Sequence, residues 1–157
     1  MITLSELSLI SEWLKKLNVE FYQCDSCLAL HLSYLQKLDG VADAKVELID
    51  NVVMMSVIAD IKSSAIMSLM AELSQINLST FFAKVYLDVK DNSEARIVFS
   101  YSLHMTDGLT FNQFSMSLAS LEEEALQVIG ELHSCDLLNN KHHSSDELHS
   151  SVFHTFH

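Results

Sequence analysis

Cysteine and histidine are the residues of this sequence best suited to metal binding or nucleophilic chemistry, and two of its three cysteines stand close together in Cys24-Asp25-Ser26-Cys27. That spacing suits a redox dithiol or half of a zinc site. A redox dithiol needs its first cysteine at a helix N-terminus, where the dipole and free amides stabilise the thiolate. The residues that follow, Leu28-Ala29-Leu30-His31-Leu32, read instead as a strand, and Asp25 is expected to raise the thiol pKa by like-charge repulsion. A tetrahedral zinc site needs four ligands; His31 and Cys135 could join the pair, but the usual second pair is missing. The motif reads first as structural hairpin cysteines, with a reversible thiol switch at Cys24 and Cys27 and a metal site as the alternatives.

Six of the eight histidines, His133, His142, His143, His149, His154 and His157, lie near the C-terminus. Such a group could bind Ni²⁺ or Zn²⁺, or gain charge near pH 6. Its irregular spacing favours a solvated end, because a mobile chain must lose conformational entropy to close a metal site. His31 and His104 remain for nucleophilic catalysis, yet there is no G-x-S-x-G elbow, and Gly40, Gly108 and Gly130 cannot build a phosphate-cradling loop. Glu122-Glu123-Glu124 occupy consecutive positions about 100° apart on a helix, which reads as a solvated acidic face rather than paired catalytic carboxylates. No catalytic residue, metal ligand set or cofactor is assigned on these grounds.

The elements that must position these residues follow from patterning. The chain has 157 residues, 49% of them hydrophobic, a net charge of −12 and no proline. One domain of this size buries enough surface to fold without disulfides or a structural metal. Its charge disfavours phosphate backbones and anionic lipid, so neither nucleic acid nor membrane is an expected partner. The N-terminus lacks the basic region of a secretory signal, no apolar run reaches membrane-span length, and an odd set of cysteines argues for reduced thiols; a cytoplasmic protein is expected.

Thr3-Leu4-Ser5-Glu6 fits a capping box, and Leu7, Ile10, Leu14 and Leu17 recur at helical spacing up to Asn18. Short β-type runs, Val19 to Gln23 and Leu28 to Leu32, flank Asp25-Ser26, and a further hairpin is expected across Asp50-Asn51. Val52 to Ala59 is apolar at odd and even positions alike, the pattern of a central strand. Ser63 or Ser64 can cap a second helix in which Ile66, Met67, Met70 and Leu73 share a face, with Asn77 as its stop. Phe81 to Asp88 and Arg96 to Leu103 alternate as a hairpin across Asp91-Asn92-Ser93. Thr110-Phe111-Asn112-Gln113 then opens a long helix running to about Leu132. Beyond it, 133–157 reads as a mobile, acidic, His-containing tail following a domain of residues 1–132.

The expected fold class is α+β: a single antiparallel sheet with three helices, in the order α-β-β-β-β-α-β-β-α. The segments Glu20-Phe21-Tyr22-Gln23-Cys24-Asp25-Ser26-Cys27-Leu28-Ala29-Leu30-His31-Leu32, Asp39-Gly40-Val41-Ala42-Asp43-Ala44-Lys45 and Leu48-Ile49-Asp50-Asn51 resemble the enterobacterial YbjN family, also called AmyR in plant pathogens, from about Leu7 to Ile129. The resemblance implies a cytoplasmic regulatory protein related in fold to class I type III secretion chaperones, associated with exopolysaccharide production, motility, biofilm and stress responses. It implies no catalytic residue.

One sheet with three helices on one face has apolar surface to spare. Met54 and Ile58 should point to one face and Met55 and Val57 to the other, so one set calls for a cover from a second copy or a protein client. Met54, Met55, Met67, Met70, Met105 and Met116 supply side chains of the flexible kind used on adaptable binding surfaces, as well as in cores. A non-enzymatic, homodimeric regulator that binds another protein through Met54, Met55, Val57 and Ile58 is the resulting expectation.

Overall fold

A computed structural model of the protein describes residues 4–90 and 94–139. The helix α1 (Leu4–Lys16) is followed by two short strands, β1 (Tyr22–Gln23) and β2 (Leu30–His31), and a one-turn helix α2 (Ser33–Gln36). Next come β3 (Asp43–Ile49), β4 (Val52–Ile61), a 3₁₀ turn at Ser63–Ala65, α3 (Ile66–Ser79), β5 (Lys84–Lys90), β6 (Glu94–His104) and α4 (Phe111–Ser134). The class is α+β, with a single antiparallel sheet of strand order β1-β2-β3-β4-β6-β5. Among the described residues there are four α-helices where three were expected. The extra one, α2, is too short to show a helical period; it forms because Leu35 drops into the core beside the edge of the sheet.

β4 sits between β3 and β6, as its two-sided apolar run requires. Its odd positions, Val53, Met55, Val57, Ala59 and Ile61, are fully buried and join Ile97 and Phe99 of β6 and Phe114, Leu118, Leu121 and Ala125 of α4 in one core. Helix α1 contributes Leu7, Ile10 and Leu14 to it. All the helices cover this face. The even positions of β4 face away, in register with Asp43, Lys45 and Glu47 of β3 and with Arg96, Val98, Ser100 and Ser102 of β6.

Several local expectations are corrected. The core residues of α3 are Ile66, Leu69, Leu73 and Ile76, spaced by three and four, whereas Met67 and Met70 are exposed. Ser63 and Ser64 form the 3₁₀ turn and neither side chain caps the helix. Asn77 is not the helix stop; its amide group donates to the carbonyls of Leu73 and Val85 and accepts from the Val85 amide, fastening α3 to the start of β5. Phe81 and Phe82 precede the strand rather than opening it. The capping box at Thr110 and Gln113 forms as its sequence dictates, with reciprocal bonds.

The boundary expected at 132 moves outward. Leu138 is buried, the Lys62 amide donates to the Leu137 carbonyl, the Asn139 amide donates to the Asp60 carbonyl, and Leu138 bridges Ile61. The close approach is visible at Gly40, whose φ is +85° and where a Cβ would stand 2.8 Å from Ile129 and 2.9 Å from Leu138. Thr3, the turn Asp91-Asn92-Ser93 and the tail from 140 onward lie outside the described residues. Among the described residues, no helix is long and apolar enough to cross a membrane.

Candidate functional site

The first site is built at the edge of the sheet. Between β1 and β2 the chain folds into a tight knuckle, with the Cys24 amide donating to the Ala29 carbonyl at 3.0 Å and the Leu28 amide to the Cys24 carbonyl at 3.2 Å. Closing it puts the exposed Leu28 at φ +56°, a left-handed conformation that a leucine adopts at a cost of about 1 to 2 kcal/mol. The knuckle sets hydrogen-bond donors of Ser26 and Cys27 around the Cys24 thiol. The Ser26 hydroxyl lies 3.0 Å from Cys24 Sγ. These donors, Ser26 first and the Cys27 thiol next, pull the Cys24 thiol down to about 6, while Cys27, which donates to Cys24, is pushed up. The expectation that Asp25 raises the thiol pKa therefore fails at Cys24, where aimed donors decide the thiolate's stability.

His31 comes from β2, on the same side as the knuckle. Its Nε2 is 3.3 Å from Cys27 Sγ and its Nδ1 is 2.9 Å from Asp43 Oδ1 on β3. The Tyr22 ring of β1 stacks on the imidazole with centroids 5.1 Å apart. Asp43 Oδ1 also accepts from Gln36 Nε2 at 2.8 Å and from the Ala44 amide at 2.8 Å. Burial pushes the Asp43 carboxyl up, but the bonds from His31 and Gln36, the His31 charge and the Ala44 amide outweigh it and hold the group below its ordinary value. An ionised Asp43 only accepts, so Nδ1 must donate; when the ring is neutral, that tautomer directs the Nε2 lone pair at the thiols. Sequence reasoning singled out both cysteines and His31 but had no way to see Asp43 behind the imidazole, because the pairing depends on β2–β3 register. Cys135, exposed at the end of α4, is not part of the cluster formed by Cys24, Cys27 and His31.

The second site is apolar and lies toward the other edge. Met67, Met70 and Leu78 face solvent from α3, and Phe81 and Phe82 follow at its end; Phe81 is 90% exposed, Met67 76% and Leu78 75%. The phenylalanines are held there by an α4 side chain. Glu124 accepts the Phe81 amide at 2.6 Å, the Phe82 amide at 3.1 and 3.2 Å through its two oxygens, and the Ala83 amide at 2.7 Å. The glutamates expected to form a plain solvated face thus have distinct tasks. Glu122 accepts from Tyr34 Oη of α2, and burial pushes its carboxyl up despite that bond; Glu123 is the exposed one.

The residues expected to bind a partner divide between the two sheet faces. Met55 and Val57 are fully buried beneath the helices. Met54 and Ile58 lie on the helix-free face, where Ile58, Val98, Ser56 and Ser100 form a low strip across β4 and β6 between the ion pairs Lys45–Glu47 and Arg96–Asp60.

Residues 6–134 match the YbjN family, described as "Putative bacterial sensory transduction regulator". Proteins named YbjN from Escherichia coli K12 and from Shigella flexneri are each 39% identical over 132 residues, covering 84% of this chain and 84% of theirs. A crystal structure of E. coli YbjN, described as "a putative transcription regulator", superposes with a TM-score of 0.80 at 39% identity, over 85% of this chain and 94% of that one. The crystal structure of an uncharacterized protein from Methanothermobacter thermautotrophicus, with a TM-score of 0.52 at 14% identity over 82% and 97% of the two chains, shares the fold alone.

Proposed function

The chain belongs to the YbjN family, and from that premise we propose a non-enzymatic regulatory protein of the cytoplasm that acts by binding another protein. The observation that carries the reading is the apolar corner formed by Met67, Met70, Leu78, Phe81 and Phe82. Scattered exposed apolar residues need no explanation, but five on one helix and its exit, two of them pinned by a carboxylate on three amides, form a pre-organised surface. A backbone fixed before binding loses less entropy on contact, and it places the two phenylalanines where they can serve as recognition anchors. The partner that fits is an amphipathic segment with apolar anchors and flanking lysine or arginine, since the protein carries −12 and Glu72 of α3 and Glu123 of α4 are exposed.

A second reading concerns dimerisation. Among the described residues no helix covers this sheet face; Met54 is half-buried there beside Ile58, Val98, Ser56 and Ser100, which neighbouring side chains already bury, so a self-complementary homodimer contact would centre on Met54. Exopolysaccharide production, motility, biofilm and stress responses are the processes in which we place the protein.

The two surfaces separate experimentally. Phe81→Glu with Leu78→Glu should abolish crosslinked capture of a partner whose linked peptide is amphipathic and basic, and should abolish complementation of a deletion strain's exopolysaccharide phenotype, while sedimentation stays unchanged. Met54→Glu should shift sedimentation towards the monomer and leave capture intact. Full capture and complementation by the double variant, shown to be folded by circular dichroism, would overturn the reading.

A further inference from the structure

We propose that Cys24, Cys27 and His31 bind a thiolate-seeking transition metal ion, zinc(II), with Asp43 holding the imidazole from behind. The three ligand atoms lie within 4.8 Å of one another, and Cys27 Sγ is 3.3 Å from His31 Nε2. Around tetrahedral zinc, with bonds of about 2.3 Å to sulfur and 2.0 Å to nitrogen, ligand atoms stand roughly 3.5 to 3.8 Å apart. Small torsions of two accessible cysteine side chains close the difference.

Three further features match what such a site requires. The knuckle sets the Ser26 hydroxyl 3.0 Å from Cys24 Sγ, a contact through which a hydroxyl can support a thiolate whether it is free or on a metal. The imidazole is committed at Nδ1 to Asp43, the carboxylate–histidine arrangement that fixes tautomer and ring angle for a metal at Nε2. Behind Asp43 stand Gln36 and the Ala44 amide, and Tyr22 covers the ring face, so the orientation is set by packing rather than by chance. Left-handed Leu28 is strain kept at the point where the knuckle must close.

On binding, two Sγ–Zn bonds and one Nε2–Zn bond form, the two thiol protons pass to solvent, and the fourth position is left for water or for a side chain of a bound partner. No oxidation state changes. A Cys27–His31–Asp43 nucleophile would use the same atoms, but it also needs a recess for substrate and donors for an oxyanion; this cluster stands at a hairpin tip where Cys27 is exposed. The site uses none of the residues of the apolar corner and stands or falls separately from it.

The test is titration of the reduced, full-length protein with Co²⁺ followed by Zn²⁺. One Co²⁺ per chain should give thiolate-to-cobalt charge-transfer absorption and the intense visible bands of tetrahedral cobalt, both bleached by Zn²⁺. Cys24→Ser and Cys27→Ser should each weaken binding at least 100-fold. Asp43→Asn should weaken it about 10- to 100-fold with the band shape kept and the urea midpoint unchanged, which separates positioning from folding. Cys135→Ser and a variant with His142, His143, His149, His154 and His157 replaced by Asn should bind as wild type. Weak octahedral cobalt bands without thiolate absorption, or binding lost only in the multiple-His variant, would overturn the site. So would reduced protein that takes up no metal and simply forms a Cys24–Cys27 disulfide in air.

Discussion

Glu124 is the residue whose replacement best tests whether the Phe81–Phe82 corner is built or merely exposed. Its carboxylate is the acceptor for three consecutive amides, and the Ala83 amide belongs to a buried residue with no alternative in water. A hydrogen bond to a charged acceptor contributes about 1.5 to 3 kcal/mol when shielded. Taking about 2 kcal/mol for Ala83 and about 0.5 kcal/mol for each of the two exposed amides, Glu124→Ala should cost about 3 kcal/mol. At about 2 to 4 °C per kcal/mol for a chain of this size, the Tm should fall by about 6 to 12 °C. Glu124→Gln keeps one oxygen but turns an NH₂ towards a donor, so about half of that loss is expected. The assay is urea unfolding followed through Trp13, which packs against Phe114 with centroids 5.5 Å apart, together with amide exchange over residues 79–85. Exchange at Phe81, Phe82 and Ala83 should accelerate more than at β6. A Glu124→Ala variant within about 1 kcal/mol of wild type, or with unchanged protection at those three amides, would refute the argument that the carboxylate holds the corner.

Three other outcomes follow from the packing. Met55→Glu places a charge in the core and should leave no cooperative unfolding transition, whereas Met54→Glu, half-buried on the helix-free face, should unfold within about 1 kcal/mol of wild type; equal behaviour would mean the face assignment is wrong. Gly40→Ala combines a left-handed backbone with contacts at 2.8 and 2.9 Å and should cost about 2 to 4 kcal/mol in urea, a loss below about 1 kcal/mol being the refuting result. For Glu122, burial raises the folded pKa above the unfolded one, so the folded state binds the extra proton and stability rises as pH falls through that window, being fully gained below the ordinary glutamate value. Measured against Glu122→Gln, which lacks the titration, wild type should therefore gain stability between pH 7 and pH 4, and parallel profiles would sink the assignment.

The sequence shows strands and long helices where periodicity is long enough to be read. Val52 to Ala59 declared a central strand through apolar residues at both parities, and Thr110 with Gln113 declared a helix start, because each signal is complete within a few residues. It failed at α3, where apolar residues leave only the narrow polar arc of Ser68, Glu72, Gln75 and Ser79 and extend well beyond the buried face, so that Met67 and Leu78 are outside while Leu69 and Ile76 are inside. That choice is made by Asn77, whose side chain bonds to both backbone groups of Val85 and sets the rotation of the helix on β5. The cysteine cluster divides in the same way. Cys24, Cys27 and His31 are visible as a local spacing, but Asp43 and Gln36 join them through strand register and a one-turn helix that carry no local signal. Glu124 is the hardest case, since its acceptor role depends on amides more than 40 residues away.

The knuckle and the apolar corner lie at opposite ends of the strand order, yet side-chain hydrogen bonds joined by short stretches of α2 and α4 backbone run from one to the other. Asp43 holds His31 and is itself held by Gln36 of α2; Tyr34, two residues earlier on α2, donates to Glu122 of α4; and Glu124, one residue beyond Glu123, carries the amides of Phe81 to Ala83. Adjacency alone does not amount to coupling, which requires that loading one site change the free energy of the other. α2 is suited to be the moving part, being one turn long and held through side chains at both ends. Zinc(II) at the knuckle, by ordering His31 and Asp43, should then slow amide exchange in Ser33–Gln36 and change it at Phe81–Ala83. Tyr34→Phe removes the only hydroxyl in the line and should abolish the effect at Phe81–Ala83 while leaving that at α2. If zinc changes exchange around Cys24–His31 and nowhere else, the two sites act independently, and the metal stabilises the edge of the sheet without informing the surface that binds the partner.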